Sequence, residues 1–104
     1  MQHEAQAPGL SQHIRAHQVP TISFSALLGR YSLEGLDALQ IDAEGMDAQL
    51  LAWFPFERIK PGVLHYETAH MTGDEAGSLR ARLRGLGYTV SASDSPTDDM
   101  AICL

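Results

Sequence analysis

Residues 36–47 read Leu-Asp-Ala-Leu-Gln-Ile-Asp-Ala-Glu-Gly-Met-Asp, a short apolar run that ends abruptly in Asp42, Glu44 and Asp47 set around Gly45. Ala38, Leu39 and Ile41 make the run mostly continuous, the pattern expected of a strand covered on both faces in a parallel sheet. Gly45 permits the sharp turn that follows. Met46, Leu50, Leu51 and Phe54 then recur at helical spacing, Trp53 adds aromatic bulk and Pro55 stops the pattern. Asp47 falls in the first turn of that helix, where the positive end of the dipole favours a carboxylate. A buried strand that delivers acids to a sheet edge and passes into a crossover helix restricts the chain to the α/β class.

The flanking segments extend the pattern. Residues 63–67 form a second strand that again ends in an acid, Glu67, after a linker over residues 56–62. Thr72-Gly73-Asp74-Glu75 is a capping box, so a helix starts there. Ala76, Leu79, Leu83 and Leu86 make its buried stripe, Arg80, Arg82 and Arg84 crowd its negative end, and Gly85 and Gly87 offer left-handed stops. Residues 88–92 and 100–104 read as short strands joined by an Asp-, Ser- and Pro-rich turn over residues 93–99, an antiparallel hairpin. Upstream, β-branched Val19, Thr21 and Ile22 predict a peripheral strand over residues 19–24, with Ser25 the N-cap of a two-turn helix reaching Tyr31. Residues 1–18 lack sustained apolar periodicity and are expected to be a flexible arm with room for a short helix. From Leu36 onward the order is strand, helix, strand, helix, strand, strand, which implies right-handed parallel crossovers followed by one reversed strand.

Composition excludes several functions. The 104 residues suit one domain, and the longest apolar run, residues 50–54, is far below the roughly 20 residues of a membrane span. Seven basic against thirteen acidic residues give a net charge of -6, which leaves no counterion-releasing surface for nucleic acid. The N-terminus does not read as a secretory signal, and the lone Cys103 precludes an internal disulfide, so a reducing cytoplasm is expected. His13 and His17 would share a helical face, but no third ligand follows, and they read as solvent-exposed residues.

The stretch Leu39-Gln40-Ile41-Asp42-Ala43-Glu44-Gly45-Met46-Asp47 with Leu50 and Leu51, then Val63-Leu64-His65-Tyr66-Glu67 and Leu86-Gly87-Tyr88, resembles the C-terminal half of an FkbM-type methyltransferase. The family pattern is an apolar strand, then Lys-Ile-Asp-Val-Glu-Gly with an acid two residues on, and Asp42, Glu44, Gly45 and Asp47 occupy those places. Residues 19–28 resemble the short strand and helix that precede the motif, so the likeness covers residues 19–104. Gln40 stands in place of the family's Lys and Ser25 in place of its Asp.

The resemblance implies a partial Rossmann-like methyltransferase sheet, mostly parallel with a C-terminal antiparallel hairpin and without the N-terminal cofactor-binding strands. The motif strand would lie centrally, the strand at residues 63–67 beside it, and the hairpin at the far edge. It also implies an S-adenosylmethionine-dependent O-methyltransferase acting on a small-molecule hydroxyl. Nothing in the chain matches the glycine-rich loop or the acid-bearing second strand that grip such a cofactor, so residues 19–104 are expected to be a half-domain not competent alone. The missing neighbour would leave the motif strand with unpaired backbone groups, and self-association across that edge is expected.

Parallel neighbours would bring Asp42 and Glu44 to the same sheet edge as Glu67 and His70, where open α/β sheets bind ligands. Three carboxylates and an imidazole there could orient a hydroxyl and take its proton, with His70 the candidate base. The oxygen-rich set also suits a hard cation such as Mg²⁺. The competing expectation is a non-catalytic oligomerisation or partner-binding module in which Glu44 and Asp47 cap the helix, Asp42 closes the turn, and Glu67 and His70 are solvated. His65 reads as a satisfied core or interface residue, Trp53, Phe54 and Phe56 as core, and Cys103 as packed.

Overall fold

The computed structural model describes residues 13–92 and 97–103. Within them run α1 (Phe24–Arg30), β1 (Ala38–Gln40), α2 (Asp47–Trp53), β2 (Val63–Glu67), α3 (Gly73–Gly85), β3 (Thr89–Ala92) and β4 (Asp98–Ile102). The sheet order is β1-β2-β4-β3. Only β1 and β2 pair in parallel; β4 lies antiparallel to both β2 and β3. The expected direction of travel is thus correct, since β4 alone is reversed. The expectation of a mostly parallel sheet is not, because β4 inserts between β2 and β3 and makes two of the three pairings antiparallel.

Strand registers explain the core. Leu39, Leu64, Ala101 and Val90 are successive partners across the four strands and form one apolar row. Side chains alternate across a strand, so Tyr66 joins Leu64 on that face and all three helices pack over it. Leu28 of α1, Leu51 of α2, and Leu79 and Leu83 of α3 complete one cluster with Phe54, Phe56 and Ile59. The opposite face carries Gln40, His65, Met100 and Ser91 as its partner row, and no helix among the described residues covers it.

That one-sided cover corrects the reading of β1. Rather than a strand buried on both faces, it is three residues with Ala38 and Gln40 exposed and Leu39 half-buried, at the sheet edge that the missing neighbour was expected to leave. Its outer side meets no other strand among the described residues.

The predicted strand over residues 19–24 is also absent. Ser23, in an extended conformation, accepts the Ala26 N–H on its hydroxyl at 3.1 Å and is the N-cap, two residues earlier than Ser25. β-branched residues favour a strand only when a neighbouring strand and a buried face exist. Val19 and Ile22 find neither and are 73% and 42% exposed. Trp53, expected in the core, is 60% exposed, whereas Phe54 and Phe56 are buried and their rings pack 4.9 Å apart.

α3 follows its sequence closely. The Thr72 hydroxyl accepts the Glu75 N–H at 3.1 Å while the Glu75 carboxylate accepts the Thr72 N–H at 3.3 Å. Ala76, Leu79 and Leu83 are buried, and Gly87, at φ +101, turns the chain into β3. The predicted hairpin forms, with β4 beginning at Asp98 rather than Met100. Residues 93–96 of its turn, residues 1–12 of the expected arm and Leu104 lie outside the described residues. His13 and His17 are exposed.

α3 is fastened to the sheet by charge. Arg80 donates two hydrogen bonds to Asp99 at 2.7 and 3.0 Å, and the Tyr66 hydroxyl donates a third at 3.0 Å. Asp99 is 1% exposed, so its charge depends on these donors. Burial, then the adjacent Asp99 charge and hydrogen bond, push the Tyr66 phenol well above its ordinary value. Removing one partner of a buried ion pair costs about 3–5 kcal/mol, whereas a hydrogen bond to a charged group contributes about 1.5–3 kcal/mol. Arg80→Leu is therefore expected to destabilise the fold more than Tyr66→Phe, as measured by urea unfolding.

Candidate functional site

The β1/β2 ladder is tight until Ile41, whose N–H donates to the His65 carbonyl at 2.9 Å. Beyond it the strands diverge. Glu44 and Gly45 adopt successive left-handed conformations, φ 49 and φ 102, and reverse the chain into α2. Gly45 serves the turn as its sequence position predicts. Glu44 does the same at a steric cost of about 1–2 kcal/mol, borne by a residue with a side chain. Its carboxylate is 80% exposed and caps nothing.

Asp47 stands in the first turn of α2, as its sequence position predicts, and is also a buried staple. Its side chain is among the described buried polar groups at 2% exposure. One carboxylate oxygen accepts the Ala43 N–H at 3.0 Å and the other accepts the Glu67 N–H at 2.9 Å.

Between the diverging ends lies a pocket of about 210 Å³ lined by Gln40, Ile41, Asp42, His65, Glu67 and Asp98. The expected residues converge here in part. Asp42 and Glu67 share the pocket wall. His70 stands beside them rather than in the lining, with Nε2 3.8 Å from Glu67 and 3.9 Å from Glu44. Partial burial raises the Glu67 carboxyl above its usual range, a hydrogen bond with Asp42 adds to the rise, and His70 opposes it. Among the described residues no group of three or more His, Cys, Asp or Glu is arranged to hold a metal ion, so the Mg²⁺ expectation finds no site there.

Asp98 was not among the residues expected at the site, and His65, read as a satisfied core or interface residue, also lines the pocket. Asp98 is the register partner of Glu67, and its carboxylate lies 3.3 Å from His65 Nε2. The alternation of β2 signals that His65 and Glu67 share a face, but the β4 register that adds Asp98 depends on the hairpin turn.

The family model of the methyltransferase FkbM domain matches residues 2–90, most of the chain. The chain belongs to the FkbM methyltransferase family. No curated protein and no solved structure matches it. The matched span includes α1, the motif strand β1, its acidic turn, β2 and α3, and it ends in β3. Among the described residues no helix is long and apolar enough to cross a membrane.

FkbM membership implies S-adenosylmethionine as the family's cofactor. Sites for molecules of that size occupy about 300–1,000 Å³, more than the acidic pocket offers, so that pocket does not hold such a cofactor by itself. At Gly45, where a cofactor-cradling glycine would leave open space, an added Cβ would instead meet the His70 ring at ordinary contact distances of 3.6 and 3.7 Å.

The raised Glu67 value sets a pH dependence. A carboxyl whose folded value lies above its unfolded one binds its proton more tightly when folded, so stability falls as pH rises from the ordinary to the raised value. Glu67→Gln removes the charge. It is expected to be at least as stable as the parent at neutral pH, with the advantage shrinking as pH falls through the raised value and gone below about 4, the ordinary glutamate range. Urea midpoints across that interval check it; an advantage that grows on acidification contradicts it.

Proposed function

We propose that this chain supplies the substrate side of an FkbM-type O-methyltransferase and does not transfer methyl groups alone. The supporting observation is the pocket where β1 and β2 part, which brings Asp42 and Glu67 together with Glu44 and His70 alongside. Hydrogen-bond acceptors at this edge suit the hydroxyl of a small molecule, and His70, held between two carboxylates, is the group proposed to receive its proton. The elements that grip S-adenosylmethionine are assigned to chain outside the described residues or to a partner. The half-buried Cys103 and the acidic composition accord with a cytoplasmic setting.

Calorimetry with S-adenosylmethionine tests the first part: no low-micromolar binding is expected, and such binding would overturn it. Amide spectra during titration with a methyl glycoside test the second. Shifts confined to the neighbourhood of Asp42, Glu67 and His70 are expected, and their absence at millimolar ligand counts against a hydroxyl site.

The exposed β1 edge favours a second reading, a homo-oligomer. In the parallel ladder Ala38 and Gln40 turn their N–H and C=O groups away from β2. A second copy is the partner proposed to pair with them. Sedimentation of the parent chain at high concentration is expected to show dimers, and Gln40→Pro, which removes one outward donor, to abolish them without unfolding the sheet. A strictly monomeric parent chain rules this reading out.

A further inference from the structure

The hydrogen bonds of Asp47 fall at an informative place. In a parallel ladder alternate residues of one strand each bond two residues, spaced two apart, on the other. Asp37 accepts from Val63, Leu39 is the register partner of Leu64, and Ile41 donates to His65. The next bond in that series would run from the Glu67 N–H to the Ile41 carbonyl. It does not form: the Glu67 N–H donates to Asp47 instead, at 2.9 Å.

The carboxylate that takes this donor also takes the Ala43 N–H at 3.0 Å, one residue beyond Asp42. A side chain inserted between two strands keeps their backbones apart at that level. Just beyond that level the Asp42 and Glu67 side chains meet through a hydrogen bond and together line the acidic pocket. Ala43 is followed by the left-handed pair Glu44 and Gly45, so its anchoring also limits where Glu44 can stand relative to Glu67. His70 contacts both of those carboxylates, at 3.9 and 3.8 Å.

We propose that Asp47 is the positioning residue of this site, replacing a rung of the β1/β2 ladder so that the paired Asp42 and Glu67 side chains are held at the wall of the pocket. It touches no ligand; its work is done through Ala43 and Glu67. The inference rests on the preceding reading only for the use made of the pocket. The replaced rung itself is a property of the backbone and is tested without any transfer assay.

Heteronuclear spectra of the full chain decide it. A scalar coupling across the hydrogen bond from the Glu67 amide nitrogen to the Asp47 carboxyl carbon is expected in the parent protein. Its replacement there by a coupling to the Ile41 carbonyl carbon would overturn the proposal, whatever any variant does.

In Asp47→Ala the Ala43 amide is expected to exchange roughly ten- to hundredfold faster, the loss of one charge-assisted hydrogen bond. The Glu67 amide is expected to stay protected, because it falls back onto the Ile41 carbonyl and restores the missing rung. Both amides exchanging freely would mean that the carboxylate only tidies a frayed strand end, and the proposal fails. Asp47→Asn guards against loss of the fold: its one carbonyl oxygen keeps a single acceptor, and a Glu67 amide that it releases falls back onto the Ile41 carbonyl, so the Glu67 amide is expected to stay protected whichever amide the oxygen takes. A Glu67 amide that exchanges freely in this variant would also overturn the assignment. Failure of the glycoside titration would leave these couplings intact, so the two ideas fail separately.

Discussion

The buried Asp99 carboxylate is the interaction on which the arrangement of layers depends. It sits on β4 between β2 and β3, and its donors come from α3 and β2. One charged group therefore fixes the helix layer over the sheet and the reversed strand in its centre. Burying it unpaired would cost far more than any single apolar contact returns. Arg80 and Tyr66 supply fork geometry and a neutral donor at distances of 2.7–3.0 Å, so the charge is well satisfied. The apolar row of Leu39, Leu64, Ala101 and Val90 then sets how the strands lie under the helices.

Much of this was legible where local chemistry dominates. The capping box at Thr72, the stripe through Leu83 and the left-handed Gly45 and Gly87 are decided within a few residues, and each appears as its neighbours dictate. The failures came where a tertiary partner decides. Residues 19–24 have strand propensity but no strand beside them, and Ser23 offers a competing cap. β1 has the composition of a strand buried on both faces yet has Ala38 and Gln40 exposed, because its apolar run carries no information on whether a second layer covers it. Trp53 follows Leu50 and Leu51 at plausible helical spacing but points away from the single covered face of the sheet.

The candidate site divides along the same line. Asp42, Glu44 and Gly45 are visible as a motif, and Glu67 as the end of a second strand. Asp98 is not, since it reaches the pocket through a register set by the closure of a loop. Asp47 occupies the first turn of α2 as its sequence position predicts, but its second role was not legible, since the carboxylate also accepts from Ala43 and Glu67. The family match then accounts for why acids flank Gly45, while the geometry distinguishes a structural acid from those lining the pocket.

The central place of β4 also bears on how the molecule assembles. β2 and β3 never pair with each other, and the strand that joins them is the last of the sheet in chain order. Pairing His65 with Met100 requires closing a long loop before any ladder energy is recovered. The helices and the β1/β2 unit can form early from nearby contacts, but cooperative closure waits on distant ones, which places the chain among slower-folding small domains. During synthesis the face formed by Leu64 and Tyr66 gains its final cover only after residues 98–102 emerge, which prolongs the interval in which a chaperone would find it exposed.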